Sequence, residues 1–102
     1  MQVKFTKTAI DQVVRIIDSH LQYSGERSAM KFSELVEDKV NRLSRFPDIG
    51  FVEPILAGRQ RTYRSLIINT NYKLVYYQKG NTLWVAGVWD MRMHPDRLKG
   101  MI

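Results

Sequence analysis

With 102 residues, 44% of them apolar and 11% aromatic, the chain fits one small globular domain spanning residues 1–102 rather than a disordered segment. It has no cysteine and only two histidines, His20 and His94, which excludes disulfides and a cysteine nucleophile and leaves no expectation of a metal or cofactor. Residues 1–58 carry eight Lys/Arg against eight Asp/Glu, whereas residues 59–102 carry eight against Asp90 and Asp96 alone, so the formal charge of +6 belongs to the second half and one face should suit a polyanion.

No apolar run approaches membrane-spanning length, and MQVKFTKTAI has neither a long apolar stretch nor a small-residue cleavage site. A cytoplasmic protein without a membrane partner is expected.

In chain order, QVKF (2–5) is short and alternating, as a first strand should be. Thr8 and Asp11 resemble a capping box, opening a helix whose apolar residues Ile10, Val13, Val14, Ile17 and Leu21 follow helical spacing up to Gly25. A second helix from Ser28 carries Ala29, Phe32, Leu35, Val36, Val40 and Leu43 on one stripe and ends near Arg45, before Pro47. FPDIGFVEPILAG (46–58), with Pro and Gly at intervals, reads as an irregular crossing loop.

Three strand-like runs follow: TYRSLII (62–68), YKLVYYQ (72–78) and TLWVAGVW (82–89), separated by the turn sequences NTN and KGN. The expected fold is α+β in the order β-α-α-β-β-β, a helical hairpin on one face of a twisted, mainly antiparallel sheet. Alternation places Tyr72, Leu74 and Tyr76 on one face, packed on the helices, and Lys73, Val75 and Tyr77 on the other, uncovered one. The last run is apolar in both phases, which suits an interior strand. It stops at Asp90, and Arg92 and His94 follow within a few positions; if the chain stays extended, both point the same way.

The hairpin ending in LSRFPDIG, then YRSL, then YKLVYYQKGNTLWVAGVWDMR, resembles the RelE/ParE superfamily of toxins from bacterial type II toxin-antitoxin pairs. The resemblance covers nearly the whole chain, with Lys73 where the family usually has arginine. It implies a toxin held inactive by a cognate antitoxin, and either of two activities: cleavage of mRNA on the ribosome, or inhibition of DNA gyrase without cutting.

The first activity, a metal-independent endoribonuclease, is the leading expectation. A ribose 2′-OH attacking its own phosphate needs a base, an acid and cations for the phosphorane. Glu53 and His94 are the candidate acid-base groups, Arg64, Lys73 and Arg92 the phosphate holders, and Tyr77 a surface on which a base could stack. By resemblance, Lys73 matches the strand arginine of the nucleases, Arg92 the basic residue after the last strand, and Glu53 an acidic residue before the second strand. These assignments require Arg64, Lys73 and Arg92 to share one concave patch on the face away from the helices.

The alternative, gyrase inhibition, rests on the long hairpin and on the resemblance of its SRFPDIG end, at Pro47–Gly50, to the P-x-x-G exit of the gyrase-inhibiting branch, and it needs only a protein-binding surface. A third reading is a degenerate module that binds an antitoxin and nothing else. Each residue also has a purely structural reading: Glu53 as a polar loop residue, Lys73 as a solvated strand residue, Arg64 as a partner of Asp48 or Asp90, and His94 as a bystander.

Overall fold

The computed structural model describes residues 1–102. Strand β1 (Gln2–Phe5) leads into helix α1 (Lys7–Tyr23), which starts earlier than Thr8 and Asp11 suggest, because Thr6 is the cap: its Oγ1 accepts from the Ala9 N–H at 3.2 Å. Gly25, at φ 96°, takes the left-handed turn that a side chain disfavours and opens α2 (Glu26–Arg45). The segment expected to be an irregular loop contains a two-residue strand, β2 (Phe51–Val52), and a 3₁₀ turn at Pro54–Leu56. Strands β3 (Arg64–Ile67), β4 (Tyr72–Lys79) and β5 (Thr82–Asp90) form the meander, and a short helix α3 (Asp96–Met101) ends the chain.

The strands lie in the order β1-β5-β4-β3-β2, with β1 parallel to β5 and every other pair antiparallel. β1 reaches the far edge because the helical hairpin lies between it and the meander in sequence. β2 adds a fifth strand at the opposite edge.

The apolar continuity of TLWVAGVW has a specific cause. Val75 pairs with Gly87 but Tyr76 pairs with Val85, so the register slips by one residue at Ala86. Leu83 and Val85 face the helices before the bulge and Val88 faces them after it, so both alternation phases of the sequence serve the same core.

That core packs Phe32, Val36 and Leu43 of α2 and Ala9 of α1 against Leu74, Tyr76, Leu83 and Val85 of the sheet. Burial of each large side chain contributes about 1.5–3 kcal/mol. The α2 stripe is the one read from sequence. The α1 stripe is rotated: Ala9, Val13, Ile16 and Ile17 face inward, while Ile10, Val14 and Leu21 are each about half exposed, at 49%, 49% and 48%.

The sheet face away from the hairpin is not bare. Leu56 of the 3₁₀ turn and Leu98 of α3 cover Val75 and Trp89 in a second small core.

Between α2 and β2, the Tyr76 hydroxyl donates to the Pro47 carbonyl at 2.8 Å and accepts from the Gly50 N–H at 2.9 Å. A Cβ on Gly50 would lie 2.6 Å from the Ser65 carbonyl oxygen and 2.7 Å from the Tyr76 hydroxyl. The P-x-x-G exit is therefore a packing requirement: only glycine lets the chain pass this close to β3 and β4.

Candidate functional site

Strand pairing separates the cations assigned to one phosphate site. Arg64 pairs with Tyr76, so its side chain lies in the phase of Tyr76 and Leu74, opposite to Lys73. Arg92 follows the end of β5 and packs its guanidinium 5.6 Å from the Tyr72 ring centroid. Tyr72 and Tyr76 are four residues apart on β4, which puts Arg92 and Arg64 roughly 13 Å apart along the strand. The expected concave patch of Arg64, Lys73 and Arg92 is absent, because the register puts Lys73 on one face and the two arginines near opposite ends of the other.

What the fold brings together is Lys73, Glu53 and Ser65. Glu53 sits at the start of the 3₁₀ turn, where one carboxylate oxygen, Oε2, accepts from the Ile55 N–H at 3.3 Å. The other, Oε1, accepts from Ser65 Oγ at 2.8 Å and from Lys73 Nζ. The side chain of Glu53 is 1% exposed and that of Lys73 12%. Burial alone pushes the Glu53 carboxyl up, but the hydrogen bonds from Lys73, Ser65 and Ile55 outweigh it and hold the carboxyl below its ordinary range. Its proton affinity is thus the reverse of what a general acid near neutral pH requires.

The other candidates are also engaged. Arg64 donates from Nη1 to the Gly50 carbonyl at 2.9 Å and has Nε 3.9 Å from Asp48, one of the two structural partners expected for it; Asp90 is instead held by Arg92. Arg92 folds back on Asp90: its backbone N–H and Nε both donate to Oδ1 at 2.9 Å, and Nη2 donates to Oδ2 at 2.9 Å. These bonds hold the Asp90 carboxyl below its usual range. The strand ends at Asp90 and the chain turns, so Arg92 and His94 do not project together from an extended tail.

His94 is exposed, and its Nδ1 accepts from the Asp96 N–H at 3.1 Å. Tyr77 does not offer a free face to a base. The Arg61 guanidinium lies 4.2 Å from its ring centroid, and Tyr63 packs on it edge-on at 5.6 Å. His20, read as structural, stacks on Phe32 and bonds Ser28 Oγ at 2.6 Å.

Two features were missed in the sequence. Ser65 completes the Glu53 cluster, and only the β2–β3 register reveals it. The row Ile10, Val14 and Leu21 is an exposed apolar stripe, centred roughly a quarter turn around α1 from the buried row at about 100° per residue. The signal for it was present, since the apolar residues of α1 cover an arc wider than one core contact needs.

A family model described as ParE toxin of type II toxin-antitoxin system, parDE, matches residues 3–95. No curated protein sequence matches the chain. Among solved structures, one titled "Chromosomal ParDE TA system from P. aeruginosa" superposes with a TM-score of 0.72 at 19% identity, over 88% of this chain and 95% of that one. At that identity the likeness concerns the fold. No helix is long and apolar enough to cross a membrane.

Proposed function

Since the chain belongs to the ParE toxin family of type II toxin-antitoxin systems, a family whose members have a partner antitoxin, we propose that it acts by binding a protein target, DNA gyrase, and not by cutting RNA. One observation carries this reading: the charged groups that a nuclease would need are divided between two sheet faces, with Lys73 and Glu53 paired to each other on one and Arg64 and Arg92 near opposite ends of the other. Ribosome-held message offers a phosphate that needs free cations converging on it, and acid-base groups in hydrogen-bond reach of the reacting oxygens. Lys73 is instead spent on Glu53.

A binding mechanism needs surface only. The half-exposed row Ile10, Val14 and Leu21 on α1 presents branched apolar side chains on a rigid 17-residue helix, which is the anchor pattern of a helix-groove contact. Gyrase as the specific target rests on the family resemblance.

The test is a pair of assays on the same protein. Purified toxin should inhibit gyrase supercoiling, and inhibition should weaken in Val14→Asp, which places a charge in the row without touching the core. Induction in cells followed by primer extension should show intact messages. Cleavage at defined codons with normal supercoiling would return the protein to the nuclease branch, and unaffected growth on induction would favour the inactive antitoxin-binding module.

A further inference from the structure

The excess positive charge of residues 59–102 is not consumed by the ion pairs of Lys73 and Arg92. Much of the remainder lies in the segment RQRTYR (59–64), which leads into β3. Arg61 makes no salt bridge, and its guanidinium rests on the Tyr77 ring. Beside it, Gln60, Thr62, Arg64 and Gln78 line a cleft of about 430 Å³, and Gln60 and Arg61 also line an adjoining concavity of about 350 Å³ together with Arg59. Arg64 and its Asp48 partner, 3.9 Å away, both line this cleft, and the Asp48 side chain, 82% exposed, is free to swing away from it.

We propose that this cleft is a binding site for the phosphodiester backbone of duplex DNA, with Arg61 and Arg64 as the phosphate contacts and Gln60, Thr62 and Gln78 as neutral hydrogen-bonding partners. Three features select this ligand. Arginines with planar, multi-donor heads, flanked by amides and a hydroxyl, match phosphate oxygens. The tyrosine that could stack on an unpaired base is already covered by Arg61 and Tyr63, so a single strand finds no platform here. An acidic peptide would need an apolar anchor to supplement its charges, and the apolar residues Tyr76 and Leu83 of this lining are buried, at 1% and 0% exposure.

The contact is with backbone alone and is therefore indifferent to sequence. Such binding has dissociation constants on the order of 1–100 µM at physiological salt, with about 0.9 unit of log-log salt slope per phosphate neutralised. The site is independent of the gyrase reading, since DNA binding is measured without the enzyme.

The experiment is fluorescence anisotropy of the full-length protein with a labelled 20-base-pair duplex of random sequence, titrated across salt concentrations. The parent should show a slope of about −2, corresponding to the two phosphates held by Arg61 and Arg64. Arg61→Ala should weaken binding and reduce the slope by about 1, Arg61→Lys should restore part of it, and Lys31→Ala on the exposed side of α2 should change nothing. Thermal melts accompany each variant to show that the fold is retained. No binding at low salt, or equal losses in Arg61→Ala and Lys31→Ala, overturns the site. Tighter binding of a poly-glutamate peptide or of single-stranded RNA of equal length overturns the assignment of its ligand.

Discussion

Replacing Lys73 with methionine preserves most of the side chain's length and its packing near the Phe51 ring, 5.6 Å from Nζ, and removes the charge. Glu53, 1% exposed, then keeps its bonds from Ser65 and Ile55 but loses its counter-ion. Breaking one side of a buried pair in this way costs about 3–5 kcal/mol. The carboxyl has one escape, which is to take up a proton. From an ordinary value of 4.5, that costs about 3.4 kcal/mol at pH 7, at 1.36 kcal/mol per pH unit, so the destabilisation should level off near 3 kcal/mol. For a domain of this size that is a fall in Tm of roughly 12 °C or more.

The escape route also predicts a pH signature. At pH 5 protonation costs about 0.7 kcal/mol, so most of the Lys73→Met penalty should vanish there. Urea titrations followed by the fluorescence of Trp84 and Trp89, at pH 7 and pH 5, measure both quantities. The double variant Glu53→Gln/Lys73→Met should be more stable than the sum of the single changes by about 2 kcal/mol, the sign of direct coupling. A Lys73→Met protein within 0.5 kcal/mol of the parent at pH 7, or additive single changes, would refute the claim that Lys73 is consumed by Glu53.

The parent protein should lose stability as the pH falls below 4.5 toward the lowered folded-state value of Glu53, because the unfolded chain takes up the proton first, and Glu53→Gln should flatten that part of an acid titration followed by circular dichroism. Gly50→Ala should destabilise by about 1–3 kcal/mol in thermal melts, since its Cβ would lie 2.8 Å or less from Tyr76 and Ser65 atoms. Leu98→Ala, which empties a fully buried position under α3, should cost about 2–5 kcal/mol and speed amide exchange in residues 96–102. Arg92→Ala should leave the midpoint of a urea titration nearly unchanged, because its pair with Asp90 lies at the surface.

The scaffold was legible because its signals are local. The α2 stripe, the turns at NTN and KGN, and the alternation that turns Leu74 and Tyr76 to the helices each depend on neighbouring residues, and all appear where the pattern put them. β2 was hidden because two residues between Gly50 and Pro54 carry no periodicity. The site was misread where it depends on pairing between distant segments. Nothing in YRSL says that Arg64 faces Tyr76, and nothing in FVEPIL says that Glu53 turns inward to meet Lys73 twenty residues on. The last strand seemed to deliver Arg92 outward as a free cation, yet Asp90, two residues earlier, is placed to take it back.

Whether this ParE-family chain acts by binding or by catalysis is decided by supercoiling with purified gyrase and increasing toxin, run beside primer extension on ribosome-bound message with the same preparation. Action by binding gives inhibited supercoiling and intact message. Message cleaved at defined codons, with supercoiling unchanged, would contradict it.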